Sequence, residues 1–318
     1  MHSCMNRSQE KATSVTDPRD FSNIVKVDTH IHLAAAMTSK ALFEFMKEKH
    51  NKYPDDVVYI DNGKPVTLSE MFKKCGIDME SLSVDALDVR ADNTFNRFDN
   101  FNAKYNPFGL SDLRTIFLKT ENHMNGRYFA ELTQDLFDKM EEQKYIYAEF
   151  RVSVYGSKMD QWDELAKWVV NNKLFSDKNR WLVQIPRIFD VWKKTKALDS
   201  FQDLLSNIFL PLWQVTIDPS SHPELHIFLQ HVVGIDSVDD ESKMESPFLE
   251  SNLVAPANWN EPSNPPYAYW CYYLYANLTT INKLRKSKVS KFPSLFPQGN
   301  FFSQEMFNIS KKLRDTPF

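Results

Sequence analysis

Short apolar runs alternate along the chain with longer segments of helical periodicity. The apolar runs predict four strands, at residues 24–32, 148–155, 181–185 and 232–236. Apolar positions spaced three and four apart predict six helices, at residues 40–49, 125–144, 160–172, 200–210, 223–231 and 267–286. Ser39 is the expected N-cap of the first helix, and Pro223 suits the first turn of the fifth. The pattern thus alternates strands with helices, which is typical of a parallel sheet covered by helices.

The predicted elements divide the chain into three parts. Residues 1–22 form a polar N-terminal tail, and residues 23–286 hold four consecutive strand–helix units of one α/β domain. Residues 51–110, after the first unit, are expected to form a long and mostly irregular insertion. Residues 287–318 form a divergent, basic tail that contains Phe and Pro and follows neither the helical nor the strand period.

The composition indicates a folded protein but contains one anomaly. Of 318 residues, 42% are hydrophobic and 25% are charged, close to the average for globular proteins. Glycine occurs only 7 times, about 2% against a usual ~7%, so many of the loops expected in a large enzyme are missing.

Net charge, hydropathy and cysteine content limit the kinds of partner and the cellular compartment that we expect for this protein. The net charge of −4 shows no excess of basic residues that would predict nucleic-acid binding. No apolar run is long enough to predict a membrane span. Three widely separated cysteines, Cys4, Cys75 and Cys271, argue against a disulfide scaffold. The first twenty residues also lack the apolar core of a secretory signal, so we expect the cytosol.

The sharpest chemical signal is the sequence Asp28-Thr29-His30-Ile31-His32 at the end of the first strand. At strand period two, His30 and His32 face the same side, and parallel α/β folds place their sites at this end of the strands. Two imidazoles on one side can both reach a divalent metal, and zinc accepts such nitrogen ligands. The alternative is a pair of packing or surface histidines, and the apolar strand before them favours metal binding.

Other polar motifs are expected to be structural. His222 and His226 occur in an HxExH order, not the HExxH of metalloproteases, so we predict His222 as a helix cap and His226 as half-buried. The acidic segment 236–241 could border a pocket, but a solvated loop is favoured. Cys271, inside an aromatic helix, is expected in the core.

Several longer segments resemble AMP deaminases, a family of the amidohydrolase superfamily. They include VDTHIHLAAAM, FDNFNAKYNPFG, LRTIFLKTENHMNGRYFAEL, YAEFRVSVYG, WLVQIPRIFDV, GIDSVDDESK and NPPYAYWCYYLYANLTTINKLRKSK, in the family's order. The resemblance covers about residues 20–288. It implies a partial (β/α)8 TIM-like barrel, with about the first four βα units and the long insertion after the first. It also implies zinc-dependent, hydrolytic deamination of AMP to IMP and ammonia.

The resemblance also assigns roles to individual residues. His30 and His32 fall on two metal ligands, here expected to hold Zn²⁺, and His32 also lies near the nucleotide. The family's substrate-binding stretch falls on Asn100, Phe101, Asn102, Ala103, Lys104 and Tyr105. Lys104 offers a point charge for a phosphate. Asn100 stands where the family usually has a lysine, which removes one positive charge from that subsite.

The family's remaining catalytic residues have no counterpart in this sequence. A third histidine followed by a glutamate, a base histidine and an Asp-Asp pair are all expected beyond the matched region, yet no histidine follows His231. Two ligands do not complete a catalytic zinc site, which needs three protein ligands and water. We therefore expect a truncated chain that is inactive alone. A truncated gene model, a spliced product, a degenerate copy and an authentic short protein all fit this expectation.

Two other functions remain open at this point. The chain could be a non-catalytic binding or regulatory partner of a full-length AMP deaminase subunit, since the family is oligomeric and a homo-oligomer is equally expected. An adenosine deaminase is the weaker alternative, because FNAKYNP with Lys104 matches the nucleotide-specific family. Deaminases of the cytidine type are excluded because they need a P-C-x-x-C pair that is absent from the chain.

Overall fold

A parallel sheet of four strands forms the centre of the computed structural model, which describes residues 23–78, 107, 110–239 and 254–289. The strands are β1 (Lys26–His32), β2 (Val57–Asp61), β3 (Lys64–Thr67), β4 (Tyr145–Ser153), β5 (Asn179–Pro186) and β6 (Val232–Val238). The α-helices are α1 (Ser39–Lys52), α2 (Leu68–Lys74), α3 (Ser111–Leu118), α4 (Arg127–Glu142), α5 (Gln161–Asn171), α6 (Phe189–Lys194), α7 (Phe201–Ile217), α8 (Pro223–Leu229) and α9 (Tyr267–Val289). Short 3-10 turns lie at Leu33–Ala35, Pro219–Ser221 and Pro256–Asn258.

The central sheet has the strand order β1-β4-β5-β6, and each neighbouring pair is parallel. This order confirms the predicted α/β class and the four consecutive units of a partial TIM-like barrel. Within the described residues the sheet does not close into a barrel, so β1 and β6 are its two edge strands. No described helix combines the length and apolarity that crossing a membrane would require.

The two surfaces of the sheet differ in character because side chains alternate along each strand. One surface is covered by helices: Phe150 of β4 lies 5.3 Å from Phe137 of α4 and 6.1 Å from Trp181 of β5, between ring centroids. Trp181 in turn lies 6.3 Å from Phe228 of α8. The opposite surface, here called the inner surface, carries the polar residues of the same strands. The apolar core therefore lies on the helix side and leaves the inner surface available for chemistry.

The insertion after the first unit is more regular than predicted. Strands β2 and β3 form an antiparallel hairpin, and α2 follows with a capping box between Thr67 and Glu70. The hairpin turn has positive φ angles of 48° at Asn62 and 80° at Gly63, which fits the Asn-Gly turn preference of two-residue hairpins. The irregular reading of residues 51–110 was thus wrong for 57–74; residues 79–106 and 108–109 lie outside the described part.

A partly buried polar contact joins this insertion to α4. The carboxylate of Asp56, just before β2, accepts a hydrogen bond of 2.7 Å from the hydroxyl of Tyr128 and pairs with Arg127. Burial, followed by the contact with Asp56, raises the pKa of Tyr128 above its usual value. The insertion is therefore attached to the barrel-like unit through α4.

Three predicted helix boundaries were inaccurate. The first helix is capped by Thr38, whose hydroxyl accepts from the backbone N–H of Ala41, and not by Ser39. Helix α7 continues through Pro211 to Ile217, beyond the predicted end at residue 210, because its apolar face remains buried there. Helix α9 runs to Val289, three residues beyond its predicted end at residue 286. Helix α3 was not predicted at all, whereas α4, α5 and α8 match their predictions closely.

Candidate active site at the carboxyl end of β1

The structure brings His30 and His32 together at the carboxyl end of β1. Their ring centroids are 5.4 Å apart and the rings are tilted by 59°. A shift in the pairing of β1 with β4 between Asp28 and Ile31 inserts one extra residue on β1. The Asp28 carboxylate accepts a 3.0 Å hydrogen bond from the backbone N–H of His30 and stabilises this bulge. Bulges of this kind often redirect side chains beside active sites.

The geometry of the two rings fits a shared divalent cation. For zinc–nitrogen bonds of about 2.0–2.1 Å at a tetrahedral angle, two ligating imidazoles have ring centroids about 5 Å apart. The observed 5.4 Å is close to this value. The described residues contain no cluster of three or more His, Cys, Asp or Glu side chains arranged for a metal. The pair offers two ring nitrogens, fewer than the three protein ligands of a catalytic zinc site, and the described residues add no third donor arranged with them.

His32 is partly buried, and its surroundings disfavour the protonated form of the imidazole. Burial lowers the pKa of His32 to about 4, and the neighbouring His30 and Arg151 act in the same direction. The carboxylate of Asp236 and a side-chain interaction with Gln184 oppose this shift in pKa. At neutral pH the imidazole of His32 is thus uncharged, the protonation state that a metal requires of a histidine ligand.

An ion pair beneath His32 links two strands that are not neighbours. Arg151 of β4, the residue opposite His32 in the sheet register, donates a 2.6 Å hydrogen bond to the Asp236 carboxylate of β6. Only 4% of the Arg151 side chain and 3% of the Asp236 side chain are exposed. The prediction of a solvated acidic loop was therefore wrong for Asp236. It was also wrong for Asp239, whose carboxylate pairs with the largely buried Arg187.

A cleft of about 470 Å³ lies along β1 and includes both histidines in its wall. Its other walls come from the segment between β1 and α1 and from one side of α4. Residues contributing to it include Met37, Ala41, Leu136 and Met140, so its lining combines polar groups from β1 with apolar side chains from the helices. The cleft thus lies along β1 at the end of the sheet that holds both histidines.

The predicted substrate-binding stretch lies outside the described residues. This applies to Asn100, Phe101, Asn102, Ala103, Lys104 and Tyr105. Their roles remain predictions, and so does the assignment of His30 and His32 as metal ligands.

The histidines predicted to be structural occupy the helical layer. His222 stands at the N-cap position of α8, but its side chain makes no capping hydrogen bond. Instead its Nδ1 lies 2.9 Å from the Asp163 carboxylate of α5, and its Nε2 lies 3.2 Å from Gln214 of α7. His226 is half-buried, and Cys271 is 1% exposed in the core, both as predicted. His222 thus joins three helices and does not cap one.

Arg151, Gln184 and Asp236 were not predicted as part of the site. The alternation of polar and apolar residues in β4, where Glu149, Arg151 and Ser153 interleave with apolar neighbours, could have indicated a polar inner surface. No local signal distinguishes Asp236 from an ordinary acidic residue, because its partner lies 85 residues away.

The chain matches the family described as AMP deaminase over residues 1–298. It is 49% identical to an AMP deaminase of Dictyostelium discoideum, with 100% of this chain and 42% of the relative aligned. It is 51% identical to a probable AMP deaminase of Oryza sativa subsp. japonica, over 91% of this chain and 36% of the relative. An AMP deaminase of Schizosaccharomyces pombe is 49% identical over 90% of this chain and 34% of the relative. The chain therefore spans roughly two fifths or less of the length of these relatives, and the predicted resemblance is confirmed.

Proposed function

Because the chain belongs to the AMP deaminase family, we propose that it contributes the β1-containing part of an enzyme that hydrolyses AMP to IMP and ammonia. This reaction would serve purine nucleotide metabolism. The observation that carries the proposal is an identity of about half of all residues, across 90% or more of this chain, with relatives named for that activity.

In this proposal His30 and His32 hold a divalent metal, for which zinc is the best candidate. Zinc accepts nitrogen ligands and, when bound, lowers the pKa of a coordinated water toward neutrality. The distance between the two rings and the uncharged state of His32 support the assignment. His32, which is the more buried of the two, would also border the nucleotide.

The nucleotide itself would be held by residues 100–105. Lys104 would pair with the phosphate of AMP, and Tyr105 would offer a ring and a hydroxyl to the nucleoside. Asn100 would contribute hydrogen bonds in place of the charge that a lysine would bring. These assignments rest on the resemblance alone, and Lys104→Ala should weaken AMP binding more than it slows the reaction of bound AMP.

A chimera tests the proposal directly. This chain would replace the matched segment of the Dictyostelium discoideum AMP deaminase, and ammonia and IMP would be measured with AMP as substrate. We expect the chimera to deaminate AMP and the His30→Ala, His32→Ala chimera to lose nearly all activity. His226→Ala, a half-buried position in α8, is the matched control and should retain activity. A folded but inactive chimera would contradict the proposal.

The isolated 318-residue chain should behave differently. Because only two ligands are proposed and the described residues hold no cluster of three or more potential ligands, it should release no ammonia above background when supplied with zinc and AMP. Clear turnover by the isolated chain would show that it holds a complete site.

A second candidate function is that of a non-catalytic partner of a full-length AMP deaminase subunit. It is supported by the outer edge of β1, which pairs with no described strand. Val27 on this strand is 58% exposed, and Val25 just before it is 55% exposed. Open strand edges invite pairing with another chain. Co-expression with a full-length subunit should then yield a mixed oligomer, whereas separate elution of both chains in gel filtration would exclude it.

We place this activity in the cytosol and expect no nucleic-acid partner. Neither Cys75 nor Cys271 forms a disulfide in the structure, which suits a reducing compartment. The net charge of −4 offers no general attraction for nucleic acids.

A further inference from the structure

Arg187 lies at the carboxyl end of the sheet, directly after β5. Its backbone N–H donates a 2.9 Å hydrogen bond to the carbonyl oxygen of Val238, the last residue of β6. All neighbouring strands in this sheet are parallel, so the same end holds His30 and His32 of β1. Arg187 therefore lies at the end of the sheet where α/β folds of this kind bind their ligands.

The side chain of Arg187 joins two segments that are distant in sequence. Its guanidinium pairs with the carboxylate of Asp239, the first residue after β6. Nε and Nη2 also donate hydrogen bonds of 3.0 and 2.8 Å to the carbonyl oxygen of Pro265, just before α9. Only 10% of the side chain is exposed. Because the guanidinium is planar and its donors have fixed directions, these contacts set the position of Asp239 relative to Pro265.

Further contacts attach the segment before α9, residues 254–266, to the same place. The side chain of Asn264 donates a 3.1 Å hydrogen bond to the carbonyl oxygen of Arg187. It also accepts a 3.0 Å hydrogen bond from the backbone N–H of Asp190, in α6. The ring of Tyr267, the first residue of α9, lies 5.7 Å from the Arg187 guanidinium. The end of this segment is thus held against the carboxyl end of β5 by contacts that meet at Arg187.

This part of the sheet lies within reach of a nucleotide bound at β1. Neighbouring strands are about 4.8 Å apart, so the end of β6 lies within about 15 Å of the end of β1. AMP carries its base and its phosphate at opposite ends, so AMP bound beside His30 and His32 can extend across the ends of the neighbouring strands. Asp239 and the 254–266 segment border this end of the sheet on the side of β5 and β6.

We infer that Arg187 is a positioning residue for a nucleotide-binding wall formed by Asp239 and the 254–266 segment. Its guanidinium acts through Asp239 and Pro265, whose relative position it fixes. This inference rests on the proposed function, because the wall contributes to binding only if AMP occupies this end of the sheet. A wall that contacts substrate and transition state alike changes KM and leaves kcat unchanged when it is displaced.

Three variants separate the contacts of Arg187 from the presence of an arginine in β5 or beside it. Arg187→Met keeps most of the length of the side chain and removes its charge and all its donors. Arg187→Lys keeps the charge that faces Asp239 but cannot reproduce the two donations to Pro265. Arg180→Met makes the same chemical change at the amino end of β5, where Arg180 donates a 2.7 Å hydrogen bond to the carbonyl oxygen of Asn179. It is the matched control.

The first measurement uses the chimera with the Dictyostelium discoideum AMP deaminase, with AMP as substrate. Arg187→Met should raise the KM for AMP by at least about fivefold, with kcat within about twofold of the unmodified chimera. Arg187→Lys should lie between the two, and Arg180→Met should leave both constants unchanged. An unchanged KM in a folded Arg187→Met chimera, or a fall in kcat without a rise in KM, would overturn the inference.

The second measurement needs no AMP and uses the 318-residue chain. Hydrogen exchange is followed at the amides of Asp190 and Trp270, which donate to Asn264 and to Pro266 at the end of the segment. Arg187→Met should accelerate exchange at both amides by about tenfold or more, and Arg180→Met should not. Wild-type exchange at both amides in Arg187→Met contradicts the inference.

Folding and function are kept apart in this design. The amide of Ala148, which donates a 2.8 Å hydrogen bond to Lys178 at the other end of the sheet, reports whether each variant is folded. If Arg187→Met does not fold, Arg187→Lys takes its place in both measurements, with the same signs and smaller effects expected. An inactive unmodified chimera would refute the proposed function, whereas the exchange data would still decide whether Arg187 positions the segment.

Discussion

The ion pair between Arg151 and Asp236 should be the most sensitive polar contact in the sheet. Asp236→Asn removes the negative charge and leaves the guanidinium of Arg151 buried, with only 4% of its side chain exposed. Two unit charges about 4 Å apart attract by about 4 kcal/mol at an effective dielectric constant of about 20. Breaking buried pairs by removing one partner costs about 3–5 kcal/mol. Both routes predict that Asp236→Asn lowers the free energy of unfolding by about 4 kcal/mol.

Removing both charges should cost less than removing one. In the double variant Arg151→Met, Asp236→Leu no uncompensated charge remains, and the main loss is the 2.9 Å hydrogen bond from the backbone N–H of Ser237 to Asp236. An unpaired buried N–H costs about 1–3 kcal/mol. The double variant should therefore be more stable than Asp236→Asn, although it carries the larger change in sequence.

Urea unfolding at pH 7 and constant salt, followed by circular dichroism, measures these differences by linear extrapolation. Lys74→Met is the control: Lys74 forms a 3.0 Å pair with Asp61, but both side chains are about half exposed, so little change is expected. The reasoning is refuted if Asp236→Asn lowers the free energy of unfolding by less than about 1 kcal/mol. It is also refuted if the double variant loses as much stability as the single variants Arg151→Met and Asp236→Leu together.

Three further predictions concern a turn, a titration and metal binding. Gly126→Ala should lower the free energy of unfolding by roughly 2–4 kcal/mol, since Gly126 has a φ of 67° and a Cβ there would lie 2.6 Å from Trp168 Nε1. The control is Gly63→Ala, at a φ of 80° with open space around the added Cβ. In urea unfolding this control should cost only about 1 kcal/mol. The ring of His32 should titrate near pH 4 when followed by NMR. Because the pKa of His32 in the folded state lies below its value in the unfolded state, wild type should lose stability relative to His32→Gln as the pH falls from about 6.5 to about 4. A titration midpoint at pH 6 or above would contradict this prediction. Atomic absorption after dialysis against a mild chelator should find much less than one zinc per chain, and His30→Ala with His32→Ala should change the melting temperature little at fixed zinc, whereas one tightly held zinc lost in the double variant would reveal an unrecognised ligand.

The helices and strands with strong periodicity could be predicted from the sequence, because their burial is decided by local pattern. β1, β5, β6, α4, α5 and α8 lie within a few residues of their predicted positions. The hairpin β2–β3 was missed although its Asn62-Gly63 turn is a strong local signal. Its strands are only 5 and 4 residues long, and Pro65 within the second reads as an interruption.

Of the candidate site, only the residues on β1 were predicted from the sequence. His30 and His32 belong to a single motif, and strand geometry places their rings together. Gln184 and Asp236 reach the same place through the register of three parallel pairings. Register depends on the packing of distant helices and on bulges such as the one between Asp28 and Ile31, which no local pattern encodes.

The polar inner surface cannot be explained by stability alone. His32, Arg151, Gln184 and Asp236 come from four different strands, and each occupies a position where an apolar side chain would pack without desolvating a polar group. Buried ion pairs are often replaced by apolar residues with no loss of stability. Local rules of folding are typically broken where a site requires it. One of the four, His32, belongs to the histidine pair that the sequence singled out, and the other three lie on the same surface of the sheet. The energetic cost of this surface and the proposed chemistry therefore have a common location.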